Sequence, residues 1–112
     1  MKTIFLTALV ILSACGVEKE VPQDLISTED MVKLLTEIHI LESKVKNLPI
    51  PTTDSAKVVY AHYEKMLFTE FNITKEQYEN SFTYYVDNSD EFSEIYEAVV
   101  DSLMQREKIS KD

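Results

Sequence analysis

The chain has 112 residues, 20 of them acidic and 11 basic, giving a formal charge of −9 and a sequence pI near 4.6. A charge of that sign is repelled by phosphate backbones and by anionic headgroups, which argues against nucleic-acid binding and against unaided binding to a membrane surface. A single cysteine and a single glycine argue against a disulfide framework and a glycine-rich phosphate cradle.

At the N-terminus Lys2 supplies a short positive region, and Ile4 to Leu12 form an apolar run whose only polar member is Thr7. A permanent membrane span needs roughly 20 such residues, so this shorter run predicts the hydrophobic region of a signal peptide. It ends in Leu12-Ser13-Ala14-Cys15, which resembles the lipobox of bacterial lipoproteins. The resemblance implies cleavage ahead of Cys15, diacylglycerol on its sulfur and an acyl chain such as palmitate on its new amino group. Each buried methylene contributes about 0.8 kcal/mol and one chain holds only marginally, whereas two or three anchor durably. The expected organisation is a removed signal peptide over 1–14, a lipidated Cys15 and tether over 15–26, and a helical domain over 27–112. Cleavage removes Lys2 and makes the charge one unit more negative. Lipidation consumes the thiol, so neither a disulfide, a thiol nucleophile nor a cysteine metal ligand remains.

The tether carries Glu18, Lys19, Glu20 and Pro22 with little apolar content. About nine flexible residues span roughly 15–20 Å, which keeps the domain near the membrane. Gly16, not Asp, follows the cysteine, so there is no inner-membrane retention signal of the proteobacterial kind. The expected placement is the cell envelope, lipid-anchored to the outer membrane and facing the periplasm.

Helix one opens at Ser27, where Ser27-Thr28-Glu29-Asp30 puts a hydroxyl at the N-cap and an acid three residues on, close to a capping box. Ile26 and Met31 would staple it. Met31, Leu34, Leu35, Ile38, Leu41 and Val45 then recur at helical spacing up to Asn47. Helix two starts after an Asp54 N-cap and presents Val59, Tyr63, Met66, Leu67 and Phe71. Helix three opens at Thr74 with Gln77 completing a capping box, Ile73 stapled to Tyr78, and an inward stripe of Tyr78, Phe82 and Tyr85. Helix four opens near Asn88, with Asp90 and Glu91 at the positive end of its dipole, and presents Phe92, Ile95, Tyr96, Val99 and Leu103. With no glycine in the domain, Asn47, Asn72 and Asn88 are the candidates for left-handed helix caps. No segment alternates at period two, so the fold expected is all-α, a small bundle of about four short helices joined antiparallel in sequence.

These pieces resemble the Bacteroidetes lipoprotein family catalogued as domain of unknown function 4296 over nearly the whole chain. The likeness runs through the lipobox, Glu29-Asp30-Met31-Val32 and Ile38-His39-Ile40-Leu41-Glu42. It continues through Asp54-Ser55-Ala56-Lys57 and Ile73-Thr74-Lys75-Glu76-Gln77-Tyr78, then Ser81-Phe82-Thr83-Tyr84-Tyr85 and Ile95-Tyr96. Phe71-Asn72 stands where relatives often carry a glycine turn. The resemblance implies an envelope lipoprotein without assigned activity and brings no catalytic residues.

Candidate chemistry is sparse. His39 and Glu42 share a helix face, and His62 on helix two could join them as a His/His/Glu metal site, although no Glu-x-x-His pair of the di-iron kind is present. The plainer role of Glu42 is to accept a hydrogen bond from a tyrosine or histidine. Tyr84 and Tyr85 are adjacent and cannot share one core face, so Tyr84 is the first candidate for an exposed protein contact. Asp54-Ser55-Ala56 resembles a Bacteroidetes O-glycosylation acceptor at Ser55, while capping alone accounts for Asp54. There is no nucleophile elbow, no His-Glu-x-x-His and no resident cofactor to expect. The function expected is non-catalytic: a protein-interaction or accessory module with an envelope protein as partner. The alternative is a periplasmic lipoprotein that binds a small ligand or a metal.

Overall fold

A computed structural model describes residues 21–111. The expected signal peptide over residues 1–14 and Cys15 lie outside them. Four helices follow in order: α1 Thr28–Lys46, α2 Thr53–Glu70, α3 Lys75–Asp87 and α4 Ser89–Lys111. Among the described residues there is no strand, and no helix is long and apolar enough to cross a membrane. The fold is all-α. α1 lies against both α2 and α4, and α3 lies against α4.

Local chemistry sets most boundaries. Ser27 is the N-cap of α1, and its Oγ accepts from the Asp30 N–H at 3.1 Å. Thr74 caps α3 in the same way, accepting from the Gln77 N–H at 3.0 Å. The α2 cap differs from the expected Asp54. Thr52 holds the extended backbone of an N-cap and accepts from the Ser55 N–H at 3.1 Å, which moves Asp54 into the first turn, where its charge meets the helix dipole. Of the three asparagines, only Asn72 is left-handed, at φ 56°. There the Ile73 N–H reaches back to the Phe68 carbonyl at 2.9 Å, the long bond of a Schellman stop. Asn47 ends α1 with right-handed backbone, its N–H turned to the Ser43 and Lys44 carbonyls, and Asn88 instead donates its side-chain amide to the Tyr84 carbonyl at 2.7 Å.

The core joins Met31, Leu34, Leu35 and Ile38 of α1 to Phe68, Tyr85, Ile95 and Val99. On α2 the buried residue is Phe68, not the expected Tyr63 or Met66, which are 47% and 55% exposed. α2 is rotated so that those two side chains face an uncovered strip of α1.

Ile26, assigned to the tether on sequence grounds, belongs to the core at 5% exposure. Its backbone is held by α3. The Ile26 N–H donates to Ser81 Oγ at 3.0 Å, and the Tyr85 hydroxyl donates to the Ile26 carbonyl at 2.6 Å. One turn earlier, Gln77 Nε2 donates to the Asp24 carbonyl at 2.9 Å instead of closing its own capping box. Gln77, Ser81 and Tyr85 are spaced at i, i+4 and i+8, so a single polar ladder on α3 satisfies the leading strap before α1. Ser81 has no exposed surface, and the strap explains it: a buried hydroxyl needs a partner.

Candidate functional site

The candidate His39, Glu42 and His62 site does not assemble. His39 Nδ1 lies 3.3 Å from Glu42 Oε2 on α1, and its ring meets Tyr96 edge-on with centroids 6.0 Å apart. His62 sits exposed on α2, against its neighbour Tyr63 at 5.5 Å. No group of three or more His, Cys, Asp or Glu placed to hold a metal occurs among the described residues. Glu42 instead takes the simpler role of partner to a histidine.

Tyr85 is 2% exposed with its hydroxyl spent on Ile26, which removes it from any contact surface. Tyr84 is half-buried against the core, its ring 5.4 Å from that of Tyr85, so it is an edge residue and not a free platform. Ser55 is exposed in the first turn of α2, and its Oγ accepts from the Thr52 hydroxyl at 2.8 Å.

One aromatic seam runs from α2 through α3 to α4. Ring centroids step from Phe68 to Tyr78 at 5.2 Å, to Phe82 at 6.0 Å, to Phe92 at 5.9 Å and to Tyr96 at 4.7 Å. Its edge carries Glu42 and Glu64, with Lys75 Nζ 3.9 Å from Glu64. Burial, then Tyr96 and these carboxylates, push the Tyr78 hydroxyl up to about 12. Burial, then Glu64 and Glu42, raise Tyr60 as well, and burial followed by Glu42 raises Tyr96. Desolvation and nearby negative charge both disfavour a phenolate. In the unfolded chain these tyrosines ionise near pH 10. The folded state holds them neutral, so their contribution is whole below that pH and is lost as pH climbs toward the folded values. The expected result is a falling melting temperature between about pH 10 and pH 12, with part of the phenolate absorbance appearing only on unfolding. Titration of all tyrosines as free phenols, with no loss of stability, would contradict it.

The other feature is a groove. Ile40, Leu41 and Val45 of α1 face Tyr63, Met66 and Leu67 of α2 across an open apolar trough of about 450 Å³, closed at one end by Leu48. Leu48, Tyr63 and Met66 are 44%, 47% and 55% exposed although large and apolar. Glu37 and Glu70 flank one end and Lys44 the other, and Glu37 is engaged by Arg106 of α4. Sequence reading missed this groove. The available signal was the breadth of apolar residues on α2, where Tyr63, Met66, Leu67 and Phe68 cover more of the helix than one neighbour can bury. Away from the groove, the chain from Glu76 to Gln105 contains acids and neither lysine, arginine nor histidine, giving α3 and the outer side of α4 a strongly negative surface.

In comparisons with known proteins, a family model described as a domain of unknown function, DUF4296, matches residues 22–109. No curated protein and no solved structure matches. The matched span includes the strap, the polar ladder and the groove. It begins after Cys15.

Proposed function

The chain belongs to the DUF4296 family, and from that premise we propose that it is a lipid-anchored lipoprotein of the Bacteroidetes cell envelope. In this reading Cys15 carries the acyl chains, the outer membrane is the site of attachment, and the helical domain faces the periplasm as a non-catalytic module that docks an envelope protein. The anchor is supported by the register of Lys2, the Ile4–Leu12 run and Leu12-Ser13-Ala14-Cys15. The docking role rests on one observation: three large apolar side chains, Leu48, Tyr63 and Met66, stand open along a groove when a small domain has every reason to bury them. The strap also suits a tethered module, because pinning Asp24 and Ile26 to α3 leaves the domain with a fixed exit point for its anchor.

Crosslinking in intact cells, followed by recovery of the protein from envelope fractions, tests this. The expected result is a discrete heavier species containing one partner, lost when Met66 is changed to aspartate. Recovery of the monomer alone, where established envelope complexes survive, contradicts the docking role.

A further inference from the structure

We infer that the strap over residues 22–26 opens as a unit of its own, with the four helices still folded, and so forms a releasable length of tether between anchor and domain. The tether half of this rests on the lipid anchor proposed above. The opening itself rests on how the strap is held.

Among the described residues the strap makes no backbone-to-backbone hydrogen bond with a helix. Its one such bond is internal, from the Leu25 N–H to the Pro22 carbonyl at 3.3 Å. The other bonds that fasten its backbone come from three side chains of α3: Gln77, Ser81 and Tyr85. Letting go therefore breaks no helical hydrogen bond. Burial is equally local. Gln23 and Asp24 are exposed, Pro22 and Leu25 are half-buried, and Ile26 alone lies in the core. A cleft of about 350 Å³ runs beside the strap, lined by Leu25, Ile26, Phe71, Ile73 and Gln77. Atoms that face a cleft lack packing partners there, so the strap is gripped on fewer sides than a core segment. Sparse burial and exposed backbone bonds mark the segments that open below the global limit.

The next residue sets the stop. Ser27 caps α1 through Asp30, and its carbonyl takes the Met31 N–H at 2.8 Å. Met31 has no exposed surface. Opening runs from Pro22 to Ile26 and halts at Ser27, leaving α1 whole. A pull from the membrane enters at the Pro22 end. It meets the exposed Gln77–Asp24 bond first and the buried grip on Ile26 last. Water then reaches the Ser81 and Tyr85 hydroxyls that the strap covers, so its departure strands no polar group. The tether gains five residues, at most about 17 Å at 3.3–3.6 Å each. Closed, the strap holds the domain at its fixed exit. Open, it lets the domain meet a partner farther from the bilayer.

Native-state hydrogen exchange tests this on the full-length protein, taken from membranes into phosphatidylcholine nanodiscs. The Ile26 amide probes the strap, because its bond to Ser81 ends when the strap leaves. The Leu35 amide, inside α1, probes the helices. Ile26 is expected to be at least a hundredfold less protected than Leu35. Low urea should speed Leu35 far more steeply, because global unfolding exposes more surface. Ile95→Val, in the core on α4, should speed Leu35 at least threefold and leave Ile26 unchanged. Gln77→Ala should speed Ile26 at least threefold. Equal protection of the two amides, with one urea slope and one response to Ile95→Val, overturns the inference, because the strap would then leave only as the whole domain unfolds. The mass of the Cys15 peptide from the same preparation keeps the two readings apart. Equal protection in an acylated protein overturns the strap's release and leaves the anchor standing. A bare Cys15 overturns the anchor, and the lengthened tether with it.

Discussion

Tyr85→Ala is expected to destabilise the domain by about 3–5 kcal/mol, the largest loss of any single truncation in this fold. Two effects add. The ring is 2% exposed and fills space between the strap, α3 and α4, so its removal opens a cavity. The hydroxyl is the donor to the buried Ile26 carbonyl at 2.6 Å, and stranding a buried acceptor costs on the order of 1–3 kcal/mol more. Domains of this size hold only about 5–15 kcal/mol in total. A fall in melting temperature on the order of 15 °C or more is therefore expected. Tyr85→Phe keeps the ring and should lose about 1–2 kcal/mol, the hydrogen bond alone. Ser81→Ala strands the Ile26 N–H and should cost a similar amount. Because Ser81 and Tyr85 grip the same residue of the strap, the two losses should not add in the double variant. Thermal unfolding of the four proteins decides. If Tyr85→Phe is neutral and Tyr85→Ala loses under about 1.5 kcal/mol, the strap is not held as described.

What the sequence made legible and what it concealed divide along a physical line. Helix spans, the Ser27 and Thr74 caps and the inward stripes of α1, α3 and α4 were readable, because capping and helical periodicity are local properties. The Thr52 cap was displaced by two residues from the expected Asp54, since both Thr and Asp can cap a helix and the backbone geometry overrides the local preference for Asp. Gln77 fitted a capping box on local grounds, yet its amide goes to Asp24, 53 residues away. A similar separation hides the role of Ser81, which meets Ile26 across 55 residues. On α2 the spacing of Tyr63 and Met66 satisfied a helical stripe, but which side of a helix finds a neighbour is a tertiary matter. That rotation turned two expected core residues into the walls of the groove, so the candidate site lay where the pattern pointed inward. His39 and Glu42 met as their spacing required, and His62 stayed apart for want of any local rule placing α2 against them.

Cys15→Ser is expected to have the largest effect on placement. Serine offers no thiolate for diacylglycerol transfer, so in the proposed reading acylation fails and the cleavage that depends on it fails too. The protein should accumulate as a longer precursor that takes up no labelled palmitate. Replacing residues 1–15 with an ordinary cleavable secretory leader should release the domain into the periplasmic extract. The acidic surface of α3 and α4 gives no second grip on anionic lipid. The helical fold should persist, because Cys15 precedes the strap. A Cys15→Ser protein that still labels with palmitate, or a leader-swapped domain that stays in the membrane pellet, would contradict the anchor.

The most direct measurement is the mass of the N-terminal peptide of the protein isolated from cell envelopes. The account predicts that it begins at Cys15 and carries a diacylglyceryl group on sulfur with a further acyl chain on the amino group. A peptide that begins at Met1, or one that begins at an unmodified Cys15, contradicts it.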